Sequence, residues 1–73
     1  MRYTPFRDRE YVRWIQSALN DVLDRNLPVD GVMTRSVRAA VRAFQRRESL
    51  PADGIIGPDT EKALIGARTR PDG

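Results

Sequence analysis

At 73 residues and 8.3 kDa the chain has room for one small domain, of a size that buries only about 60% of the surface its unfolded form exposes. A composition that is 40% hydrophobic and 32% charged is that of a folded globular chain, and the lack of cysteine and histidine excludes disulfides, thiolate nucleophiles and zinc sites built on those ligands. The formal charge is +3, and of the 13 basic residues all but Lys62 are arginine, which invites an anionic partner without choosing between carboxylate and phosphate.

No stretch approaches the roughly 20 apolar residues of a membrane span. The opening "MRYTPFRDRE" also lacks the apolar centre of a signal peptide. No membrane partner is expected, and nothing in this chain directs export.

From Arg9 to Leu23 the apolar residues Tyr11, Val12, Ile15, Ala18, Leu19, Val22 and Leu23 recur at three- and four-residue intervals, which predicts a first helix. Asp8 is placed to cap it, with a carboxylate that suits the unpaired amides and the positive end of the dipole. "DRNLPVDG" breaks the pattern: Pro28 pushes Leu27 towards extended geometry and Asp-Gly is turn chemistry. Thr34 then caps a second helix over Arg35–Arg47, whose stripe is Val37, Ala40, Val41 and Phe44. "SLPADGIIG" repeats the break, and Pro58 after Gly57 suits the first position of a third helix. Asp59 and Glu61 favour its start, and Gly66 is its expected stop. These boundaries divide the chain into an arm at 1–7, a domain at 8–66 and a mobile, aperiodic tail at 67–73.

Two segments match at an offset of 23: Asp30, Gly31, Val32, Met33, Ala40 and Val41 against Asp53, Gly54, Ile55, Ile56, Ala63 and Leu64. The unit is a turn, two apolar residues that plug the core, a cap and a helix that packs on the plug. Glycine supplies the positive backbone torsion, and the neighbouring Asp closes the turn on nearby amides. The apolar pair after each glycine is a candidate for a very short strand ladder.

"VRWIQSAL", "VDGVMTRSVRAAVRAFQ" and "ADGIIGPDTEKAL" together resemble the small three-helix peptidoglycan-binding domain, whose pattern joins a Val-x-x-Leu-Gln-x-x-Leu helix to two Asp-Gly repeats. The resemblance spans Val12 to Leu64. It implies an all-α fold, a compact three-helix bundle with two Asp-Gly loop-helix repeats. The residues that carry this motif are Asp30, Gly31, Phe44, Asp53, Gly54, Gly57 and Thr60. The implied role is a non-catalytic module that holds a cell-wall hydrolase, lysin or effector on murein. It needs no cofactor or metal, and acts as a monomer or as part of a larger chain. The implied place is the cell envelope or periplasm, reached with a larger protein. Thr34 stands where the family usually has glycine, Val37 where it has threonine, and Ser49 where a glycine commonly ends the second helix. Ser49 must then adopt a left-handed backbone, at a cost of about 1 kcal/mol, or the helix must end differently.

Peptidoglycan offers sugar faces, amides and carboxylates, so a binder needs an aromatic platform, hydrogen-bonding groups and cations. Trp14, on the flank of the first helix beside Tyr11 and Ala18, is the one large platform; its structural alternative is to cover the core edge or pack on Pro5 and Phe6. Arg35, Arg38, Arg42 and Arg46 share one face of the second helix, either as a solvated face tempered by Glu48 or as partners for stem-peptide carboxylates. Gln16 and Gln45 suit loop backbone more than ligand, since most side-chain hydrogen bonds go to backbone or water. The candidate ligand set is therefore Trp14, Arg35, Arg38, Arg42, Gln45 and Asp53.

Asp30 and Asp53 are the candidates for a glycosidase carboxylate pair, which needs a suitable separation and one raised pKa. Their place in Asp-Gly turns makes them structural, and no other catalytic constellation is present. The alternative reading is a small basic DNA-binding or protein-interaction domain. DNA is disfavoured because the second helix offers Thr34 and Ser36 but no Asn or Gln near its start to read bases, and Asp-Gly turns serve no purpose there.

Overall fold

The computed structural model describes residues 9–69. The expected Asp8 cap, the arm at 1–7 and the end of the tail at 70–73 lie outside the described residues. Among those described, the chain forms three helices and no strand: α1 (Arg9–Leu23), α2 (Arg35–Arg47) and α3 (Pro58–Arg68). None is long and apolar enough to cross a membrane.

α1 lies against both α2 and α3 and supplies the centre of the core. Its stripe of Val12, Ile15, Ala18 and Leu19 is buried, the last three in one cluster with Val37, Ala40, Val41 and Phe44 of α2 and Leu64 of α3. Phe44, the last residue of the α2 stripe, is completely enclosed. Tyr11, Trp14, Val22 and Leu23 pack around this core half-buried.

The helix ends follow local chemistry. Thr34 holds extended backbone and its hydroxyl accepts the Val37 N–H at 3.3 Å, as an N-cap does. α3 opens on Gly57 and Pro58, with Asp59 and Glu61 in its first turn. α2 closes with Ser49 at φ 61°, the Leu50 N–H donating to the Gln45 carbonyl and the Ser49 N–H to the Arg46 carbonyl. This is a Schellman closure with serine in the left-handed position that glycine normally takes. α1 ends the same way: Asp24 sits at φ 56° and the Arg25 N–H reaches the Asn20 carbonyl. Arg47 of α2 then donates to the Val22 carbonyl at 2.8 Å, satisfying an orphan acceptor at that end.

Three expectations are corrected. Gly66 does not stop α3, which continues to Arg68. Ala67 still finds core to pack on, and Arg68 Nη2 reaches Ser17 Oγ at 2.9 Å and Asp21 Oδ2 at 3.1 Å, tying that extra half-turn to α1. Thr69 then ends the helix, its N–H and hydroxyl both bonded to the Ile65 carbonyl. Nor do both apolar residues after each Asp-Gly plug the core: Met33 and Ile56 turn inward, whereas Val32 and Ile55 are 45% and 52% exposed. The expected strand ladder is absent because its backbone groups are already used. Val32 donates to Asp30 and accepts from Gln16, and Ile55 donates to Asp53 and accepts from Gln45.

Candidate ligand-binding site

Each Asp-Gly turn is anchored from beneath by a glutamine one residue beyond the core stripe. Gln16, 1% exposed on α1, donates to the Asp30 carboxylate and the Val32 carbonyl, both at 3.0 Å. Its amide oxygen accepts the Asp30 and Gly31 N–H groups. Gln45, equally buried on α2, donates to Asp53, the Ile55 carbonyl and Thr60 Oγ1, two N–H groups shared among three acceptors, and accepts the Gly54 N–H at 2.9 Å. Thr60, 5% exposed at the start of α3, thus joins the second turn to its helix; Val37 occupies the corresponding place after the first turn and brings no such acceptor.

The glycines are needed where they stand. Gly31 and Gly54 have φ of 81° and 75°. A Cβ on Gly31 would come within 3.1 Å of the Arg9 carbonyl, and one on Gly54 within 3.1 Å of Arg42 Nη1. Gly57 is different: its backbone is extended and a Cβ there would meet nothing, so its value is as an N-cap.

Both carboxylates are held below the ordinary Asp value of 3.8: the Val32 N–H and then the Gln16 amide lower Asp30, and the Ile55 N–H and then the Gln45 amide lower Asp53. Neither is poised to carry a proton near neutrality, the property a glycosidase acid requires. Among the described residues no group of three or more acidic side chains gathers to hold a metal.

Two clefts remain. The larger, about 360 Å³, runs between α1 and α3 and is lined by Tyr11, Trp14, Glu61, Ile65, Arg68 and Thr69. The Tyr11 and Trp14 rings lie 6.3 Å apart at 32° and form its aromatic side. The smaller, about 150 Å³, lies over the second turn beside Pro51, Asp53, Ile55 and Asp59. Only the first is of the size that ligand clefts generally have, about 300 Å³ and upward.

The expected ligand residues therefore do not converge. Trp14 lines the larger cleft and Asp53 the smaller. Gln45 forms the floor of the smaller cleft, its amide committed to the turn. Arg35, Arg38 and Arg46 are exposed on α2, and Arg42 is half-buried over Gly54; Arg35, Arg38 and Arg42 line neither cleft. Glu48 pairs with Arg47 at 3.8 Å instead of tempering that stripe. Sequence reasoning did not single out Asn20, which donates to and accepts from Leu27 and pins the linker, or the α3 wall of Ile65 and Arg68.

The profile of the peptidoglycan binding domain family matches residues 8–64, the greater part of the chain. The chain belongs to this family. No curated protein and no solved structure matches it significantly. In this peptidoglycan binding domain the matched span takes in α1, both Asp-Gly turns, α2 and α3 as far as Leu64. The Tyr11–Trp14 side of the large cleft falls inside it, and Ile65 and Arg68 fall just beyond.

Proposed function

We propose that this chain is a non-catalytic module that binds peptidoglycan and thereby holds an associated hydrolase, lysin or effector on the cell wall. The observation that carries the reading is family membership across residues 8–64, and the cleft beside Trp14 gives it a place of ligand size. The low pKa values of Asp30 and Asp53 support a binding role over hydrolysis, since murein cleavage by a carboxylate pair needs a protonated acid. Trp14 is the contact platform, and Arg35, Arg38 and Arg42 form a separate cationic face on α2 for wall carboxylates. The domain acts in the envelope, as a monomer or as one unit of a larger polypeptide.

Co-sedimentation with insoluble sacculi tests this. The protein pellets with sacculi and stays in solution with chitin. Trp14→Ala weakens retention about tenfold, as loss of an aromatic anchor does. Arg38→Ala with Arg42→Ala weakens it by a smaller, salt-dependent factor, both variants keeping their helical circular dichroism. A protein that ignores sacculi but shifts a DNA duplex at moderate salt is a nucleic-acid binder instead.

A further inference from the structure

We propose that the cleft between α1 and α3 recognises a free primary ammonium on an alkyl stem, the group borne by the diamino acid of an uncross-linked stem peptide; this rests on the wall-binding reading. Charge decides the class of ligand. Arg68 lines the cleft, but its guanidinium is turned to Asp21 at 3.1 Å and to Ser17 at 2.9 Å, so its charge is already compensated. Glu61 lines the same cleft and makes no ion pair with any described residue. A chain of net charge +3 therefore presents one uncompensated negative charge here, beside two aromatic rings.

That combination suits a cation and repels a carboxylate. An ammonium gains from the Trp14 face and from Glu61 together. Its methylene stem is matched by Ile65, one turn along α3 from Glu61 and 47% exposed. A neutral sugar would use Trp14 but leave Glu61 facing no partner.

Sacculi treated with acetic anhydride, which converts free amines to neutral amides, provide the test. Acetylation makes the wall more anionic, so general attraction for a basic protein rises; recognition of the amine predicts the opposite. Parent protein should bind native sacculi about tenfold more tightly than acetylated ones. Glu61→Gln should bind native sacculi about tenfold more weakly than the parent and should no longer prefer them over acetylated ones. Parent binding that is unchanged or stronger after acetylation overturns the proposal, and so does a Glu61→Gln variant that keeps the parent's preference. Failure to bind either form of sacculi would instead count against the wall reading. The cleft is then tested separately by Trp14 fluorescence: millimolar Nα-acetyl-lysine methylamide should shift the emission and its Nε-acetylated form should not. Equal responses overturn the assignment.

Discussion

Gln45 donates to the Asp53 carboxylate at 3.0 Å from a position that is 1% exposed, so a neutral amide within the core fixes a charged group on the surface. Gln16 holds Asp30 at the same distance. Removing either amide strands buried backbone and side-chain partners, each costing about 1–3 kcal/mol when left unsatisfied. Gln16→Ala and Gln45→Ala should each destabilise the domain by about 3 kcal/mol, a fall in Tm of about 12 °C or more, measured by thermal circular dichroism. A loss under about 1 kcal/mol in both would mean that the turns close without them.

Ser49 and Asp24 hold left-handed backbone without being glycine. Ser49→Gly should therefore stabilise the domain by about 0.5–1 kcal/mol, and Asp24→Gly by a similar amount, visible as a higher midpoint in urea with an unchanged slope.

Three glycines separate conformation from space. Gly66 lies within α3 with nothing near its missing side chain, so Gly66→Ala should stabilise by about 0.5–1 kcal/mol. Gly54→Ala should cost about 1–2 kcal/mol for its positive φ. Gly31→Ala should cost more, because the obstacle is the Arg9 backbone carbonyl and not the tip of a flexible side chain.

Acid should loosen both turns. The folded pKa values of Asp30 and Asp53 lie below the ordinary 3.8 that the unfolded chain shows, so in that interval the unfolded chain binds more protons. The stability these groups contribute is complete above 3.8 and is lost as pH falls through the lower folded values. Their contribution to Tm should be flat from about pH 5 to 8 and should decline below about pH 4. The double variant Asp30→Asn, Asp53→Asn should show a shallower acid limb; an identical limb would assign the decline to other carboxylates.

The helices were legible because their signals are local. The spacing of Val12, Ile15 and Leu19, or of Val37, Val41 and Phe44, reports a buried face directly, and Thr34 and Pro58 mark starts within one turn. The Asp-Gly turns were legible for the same reason. Which of Val32 and Met33, or of Ile55 and Ile56, faces inward was not, because two adjacent apolar residues carry no period. The end of α3 was misplaced because what sustains it is remote: Arg68 bonds to Ser17, 51 positions away in the chain. The large cleft was hidden likewise, since Trp14 carries its aromatic side and Glu61 and Ile65 its opposite wall.

The outward apolar side chains of the turns, Val32 and Ile55, take no part in closing them. Gln16, Gln45, the two Asp carboxylates and the backbone complete the closure, leaving the Val32 and Ile55 side chains to point at solvent. Side chains at these two tips are thus interchangeable so far as folding is concerned, and the domain amounts to a fixed frame with two replaceable faces. Relatives built on that frame can diverge in what they touch while folding alike.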